Sequence, residues 1–205
     1  MRRLAALLVV FSLASCKEKN KDSKQVAALA RELQAFGQQG DIPASAAHRD
    51  WLLDHIAWDE LLAVLVIDAM HMLEPERRED AIPAFQRDLD QPSDNTIKKR
   101  RRSIMILSVA LGNSPCKVVA PGSEDAEWAR ARLSTAPPTD GLSPASIEFV
   151  QKMQAKLSAL GRLYHIDCAR KQVHVLVAVT KSGLLLPVIR PLDRPEQNPA
   201  DAAVP

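Results

Sequence analysis

His48, His55 and Asp59 are the first residues in this chain whose types and spacing could do chemistry. At 100° per residue on a helix they fall within about 40° of one another, on the stripe that also carries Leu52, Leu62, Val66 and Met70. Two imidazoles and a carboxylate can bind a divalent metal such as zinc. His48 and His55, however, are separated by about 10 Å along the axis at a rise of ~1.5 Å per residue, too far to share one ion. His55 and Asp59, one turn apart, are therefore the candidate metal pair, and a metal-dependent hydrolase is the enzymatic reading that follows. The structural reading is that Asp59 orients His55 at a polar margin of the core, with Trp51 and Trp58 beside them.

Other chemistry-bearing residues are sparse. His71, His165 and His174 are scattered, and His174, inside the apolar run QVHVLVAV, reads as an edge or solvent-face residue rather than a ligand. Ser114-Pro115-Cys116-Lys117 formally fits the S-x-x-K nucleophile pattern but lacks a K-T-G companion, and its Cys116 belongs to the expected disulfide. No G-x-S-x-G, H-E-x-x-H, C-x-x-C or phosphate-binding glycine loop occurs. No catalytic residue is assigned and no cofactor is expected.

The sharpest charge feature is Lys98-Lys99-Arg100-Arg101-Arg102, five cations that occupy every side of a helix. Some must approach other elements of the protein or an anionic partner, a lipid phosphate or an acidic protein surface. The plainer reading is a solvated face paired with acids such as Glu76, Glu79 and Asp80. Nucleic acid is not expected, because there are no interleaved aromatics and no basic domain.

The elements that must position these residues are mostly helical. Val26, Leu29, Ala30, Leu33 and Phe36 have helical spacing, with Gly37 as the expected stop. Residues 44–73 read as one helix, apolar all round from Leu61 to Ile67 and so buried at the centre. Residues 75–90 read as a helix interrupted at Pro83. Ser93 or Asp94 can cap a helix to Leu111 that ends at Gly112-Asn113, Ser123 a helix through Leu133, and Ser143 a helix from Pro144 to Leu160 stopped at Gly161. Then the chain turns β-like. Gln172–Val179 and Leu184–Ile189 flank a turn at Thr180–Gly183, with Pro187 favouring an edge. A lone hairpin is marginal in water, so it must lie on the helices or gain a strand, for which Lys117–Ala120 is the candidate. The expected fold is mainly α, a compact helical bundle with a small C-terminal β-hairpin; α+β is the runner-up.

Composition fits a foldable globular chain: 205 residues, 46% hydrophobic, with 27 Lys+Arg against 25 Asp+Glu. The two excess cations are Arg2 and Arg3, at a terminus with its own signature. Met1-Arg2-Arg3 is a basic segment and Leu4–Leu13 an apolar one of roughly 15 Å, half of a ~30 Å hydrocarbon core. That is the pattern of a signal peptide, not a membrane span. Leu13-Ala14-Ser15-Cys16 resembles the lipobox of bacterial lipoproteins at all four positions. The resemblance implies a diacylglyceryl group on the Cys16 thiol, cleavage before Cys16 and acylation of the new amino terminus. Two or three acyl chains hold a protein stably on a membrane where one does not.

Residues 1–15 are thus expected to be a lipoprotein signal peptide, and 16–24 the lipidated Cys with a polar tether (KEKNKDSK). Residues 25–192 form one periplasmic domain and 193–205 a disordered tail. Lys17, rather than Asp, follows the cysteine, which by the enterobacterial sorting rule implies the outer membrane, facing the periplasm; the inner membrane and the cell surface are the alternatives. Export puts Cys116 and Cys168 in an oxidising compartment, where an even pair reads as a disulfide, with a redox or metal pair as the rival.

The expected function is non-enzymatic: a membrane-anchored lipoprotein that binds another envelope protein. It would serve as an assembly or pilot factor, as an inhibitor or immunity protein against a toxin, or as a structural envelope component. The metal-dependent hydrolase built on His55 and Asp59 is one alternative. Binding of a lipid or small ligand between helices is another.

Overall fold

The structure, a computed structural model, describes residues 2–90, 93–157, 160–169 and 173–191, with the side chains of 2–20, 90 and 191 outside the description. The side chain of Cys16 and the expected tail 193–205 therefore lie outside the described residues. Seven α-helices are present among the described residues: α1 (Arg2–Gln39), α2 (Ala46–His55), α3 (Trp58–Met72), α4 (Pro75–Asp90), α5 (Asp94–Leu111), α6 (Ser123–Ser134) and α7 (Pro144–Leu157). Four strands accompany them: β1 (Cys116–Val119), β2 (Leu163–Cys168), β3 (Val173–Val179) and β4 (Leu185–Pro191). The fold is mainly α with a small β part. No helix of the described residues is long and apolar enough to cross a membrane.

The sheet is antiparallel in the order β1-β2-β3-β4 and forms the middle of three layers. Tyr164, Ile166, Val175, Val177, Val179 and Leu185 share one core with Val26, Leu29, Leu33 and Phe36 of α1, Leu52 of α2 and Ile104, Leu107 and Leu111 of α5. Ala178, Leu186 and Val188, on the other face, pack with α3, α4, α6 and α7. Burial on both faces explains why QVHVLVAV does not alternate. The expected hairpin is thus the C-terminal half of a sheet that sits at the centre, where a helix was expected. Its expected third strand is present as β1, but β2 lies between the two: Cys116 pairs with Cys168, and His165 with Leu176. The disulfide joins Cys116 to Cys168. Pro187 does lie on an edge strand, where its missing N–H costs no ladder bond.

The largest correction concerns residues 44–73. The expected single helix breaks at Ile56-Ala57, which are fully buried. Ile56 is extended and bridges Leu185 of β4, and the Ala57 N–H donates to the Leu185 carbonyl at 2.9 Å. The indole of Trp58 donates to the Leu53 carbonyl at 2.7 Å, serving one of the acceptors that the end of α2 leaves open. The chain exchanges helical bonds for sheet bonds, and no proline or glycine marks the place.

Smaller corrections have equally local causes. Pro83 does not interrupt α4; it is exposed, so the backbone bond it forfeits is lost on the solvent side. Helix α1 runs past Gly37 to Gln39 and ends at Gly40, whose φ is +73°. Gly37 instead abuts Ser108 of α5, where an added Cβ would stand 3.0 Å from the Ser108 Cβ. Ser123 is the first residue of α6 rather than its cap, which is Gly122. Ser93 does cap α5 through a reciprocal pair with Thr96. The Ser143 Oγ accepts from the Ser146 N–H at the start of α7.

Gly141 fixes the loop ahead of α7. It has φ +81°, and a Cβ there would stand 2.1 Å from the Pro75 carbonyl oxygen. Gly141→Ala therefore adds a clash to the left-handed backbone cost of about 1–2 kcal/mol. Gly40→Ala meets open space and carries the backbone cost alone. In parallel thermal melts the first variant is expected to lose clearly more than the second.

Candidate functional site

The most concentrated chemistry lies where α6 meets the sheet. Asp125, at the third position of α6, points at the face of the sheet that carries His165 of β2, His174 of β3 and Arg190 of β4. Antiparallel register puts these strand residues together: His165 opposes Leu176 and His174 opposes Arg190, so the two histidines are diagonal neighbours. Asp125 and His165 are buried, at 7% and 5% exposure, while His174 reaches the surface.

Each oxygen of the Asp125 carboxylate has its own role. Oδ1 accepts from an Arg190 guanidinium nitrogen at 2.8 Å. Oδ2 lies 3.0 Å from the His174 Nδ1 and 3.8 Å from the His165 Nδ1. The two imidazoles are stacked, centroids 5.0 Å apart and planes within 11°. Arg190 also bonds Glu124, which is exposed. Burial pushes the Asp125 carboxyl up, but the hydrogen bond and charge of His174, with Arg190 and His165, hold it below the usual carboxylate range. The result is a fixed anion with two imidazole nitrogens at its second oxygen, a donor set that can share a proton or a metal ion.

None of the strand residues was singled out by sequence as a ligand, and His174 was expected on an edge or a solvent face. The edge placement is corrected, because β3 is an inner strand beside α6, while His174 does stay partly open to solvent. The available signal was the alternation in Leu163-Tyr164-His165-Ile166-Asp167-Cys168, whose period of two marks a strand and puts Leu163, His165 and Asp167 on one side.

The residues that were singled out part company. His55 closes α2, stacks on Trp51 with centroids 4.0 Å apart, and has its Nδ1 2.8 Å from the Trp51 carbonyl. Asp59 opens α3 beyond the break and pairs with Lys156 of α7 at 2.9 Å. The one-turn spacing that joined them on a single helix does not exist. His48 pairs with Glu32 at 2.6 Å. Among the described residues, none of the three belongs to a group of three side chains able to hold a metal.

The basic run divides between the protein and the solvent. Lys99 pairs with Asp88 at 2.6 Å, Arg100 lies over the Trp58 ring, and the Arg101 Nε is buried. The expected acids play little part; Glu79 instead accepts from Ser143 and Ser146 at the start of α7, bonds that hold its carboxyl below the usual range. Lys98 and Arg102 are exposed, with no ion-pair partner among the described residues. On the same side of α5, within about 80° by helical angle, are Ile106 and Val109, exposed by 53% and 64%.

Helix α5 runs antiparallel to α1: Gly37 meets Ser108, while Gln34 bonds the carbonyls of Gly112 and Ser114. By the ~1.5 Å rise, the stripe from Val109 to Lys98 lies about 30 to 45 Å from residue 16 along the helix axes. No protein-family model, no curated protein and no solved structure matches the chain.

Proposed function

We propose that this chain is a lipid-anchored envelope protein, held at Cys16 on the periplasmic face of the outer membrane, that works by binding another protein rather than by catalysis. The observation that carries this reading is the exposed stripe Lys98, Arg102, Ile106 and Val109 on α5, at the far end of the domain from α1's start. Cations contribute about 1 kcal/mol each to membrane binding only near an anionic surface, and the attraction fades beyond a Debye length of about 8 Å. With α1 standing away from the bilayer, a stripe tens of ångströms along it from the anchor lies beyond that range. Two free cations beside two bare aliphatic side chains suit an acidic protein surface with an apolar centre.

The disulfide supports export, since such bonds persist in oxidising compartments. The expected tether is itself helical in α1, and Asp22 within it pairs with Arg162 at 3.3 Å. That contact ties α1 to the sheet on the side facing the anchor.

Charge reversal tests the reading. The double variant Lys98→Glu/Arg102→Glu should keep the wild-type melting temperature and membrane fractionation, because neither residue is buried or paired. Recovery of the crosslinked partner from native membranes should fall at least about tenfold, as expected when like charges face each other across an interface. Unchanged recovery would contradict the proposal. So would strong binding of the unlipidated protein to anionic vesicles that the double variant abolishes.

A further inference from the structure

We propose that Asp125, His165 and His174 form a binding site for a divalent transition-metal ion of the zinc type. Three ligand-type side chains from three elements converge there, and their donor atoms all lie within 4.8 Å of one another. The spacing suits an ion. With bonds of about 2.0–2.1 Å and tetrahedral angles, two ligand atoms stand about 3.3 Å apart. The distances from Oδ2 to the two Nδ1 atoms, 3.0 and 3.8 Å, bracket that value. An ion seated among them replaces the Asp125–His174 hydrogen bond, and the stacked rings turn so that each Nδ1 faces it.

The surroundings suit it as well. Arg190 occupies Oδ1, which orients the carboxylate and leaves Oδ2 to the ion, the part that outer-shell partners play around metal ligands. Glu124 balances the charge of Arg190. His174, 22% exposed in its side chain, gives a path from solvent, while Asp125 and His165 are held by the core. Two imidazoles and one carboxylate favour zinc and its neighbours over calcium or magnesium, which take all-oxygen shells. Three protein ligands leave a fourth position open to water or to a group from a partner. The site is independent of the α5 stripe and of lipid on Cys16.

The test is titration of the full chain, carrying no histidine tag and stripped with a chelator, with Zn²⁺ alone. Calorimetry should give one ion per chain. At about a hundredfold excess over Kd the melting temperature should rise by about 5–10 °C. His174→Gln, a change at a partly exposed residue, should weaken zinc binding at least about tenfold. In the wild type, zinc should protect His174 from carbethoxylation, read peptide by peptide, so the proposal stands or falls even if the variant unfolds. No stoichiometric binding, equal affinity in a folded His174→Gln, or protection confined to His48, His55 or His71 would overturn it.

Discussion

Asp125→Ala is expected to destabilise the protein by about 3–5 kcal/mol, the usual consequence of removing one member of a buried ion pair. Arg190 would lose the buried carboxylate it pairs with, and two imidazoles would lose their anion. For a chain of this length each kcal/mol moves the melting temperature by about 2–4 °C, so the loss should reach roughly 6–20 °C. The double change Asp125→Ala/Arg190→Met should recover much of it, because the stranded charge goes too. Measured with chelator present, this loss belongs to the ion pair and not to any metal. If Asp125→Ala melts with the wild type, the cluster does not hold α6 on the sheet.

The same carboxylate predicts how stability depends on pH. Its folded-state pKa lies below its unfolded value, so its contribution is present above the unfolded carboxylate pKa of about 3.9 and is lost as pH falls through the folded value. Urea midpoints followed downward from pH 6 should therefore fall less steeply below about pH 4 in Asp125→Asn than in the wild type.

Reducing the disulfide is the second large expected effect. Cys116 and Cys168 are 52 positions apart, and a loop of that length constrains the unfolded chain by about 4 kcal/mol in the chain-entropy model. The bond also joins the register partners that fasten β1 to β2, the strand that carries His165. Cys116→Ala/Cys168→Ala should thus melt roughly 8–16 °C lower than the oxidised protein. Its effect should be largest on β1, an edge strand of four residues, and hydrogen exchange there should quicken more than in β3. Equal melting of the oxidised and reduced proteins would contradict this.

What could be read from the sequence was set by how local its causes are. The caps at Ser93 and Ser143, the turn at Thr180–Gly183 and the pairing of Cys116 with Cys168 rest on neighbouring residues or on simple parity, and the structure has them. The break at Ile56-Ala57 has no such marker, because what stops the helix is the Leu185 carbonyl, distant in sequence. Since the pairing of His55 with Asp59 depended on that helix, it failed with it. The cluster that does form needs β2 to be recognised and its register against β3 known. Register is a property of the sheet as a whole, which the spacing of His165 and His174 along the chain does not reveal. The basic run could be seen but not divided: which of its five cations faces solvent follows from where Asp88 and Trp58 lie.

The central claim is that the α5 stripe faces a protein and not the anchoring membrane. A photo-crosslinking amino acid at Ile106, in the intact protein in native membranes, tests it most directly when adducts are resolved by mass and the Cys16 peptide is weighed for its acyl chains. The proposal predicts a diacylglyceryl-modified Cys16 and a discrete protein adduct at position 106, lost in Lys98→Glu/Arg102→Glu. Phospholipid adducts at position 106, or an N-terminal peptide without lipid, would contradict it.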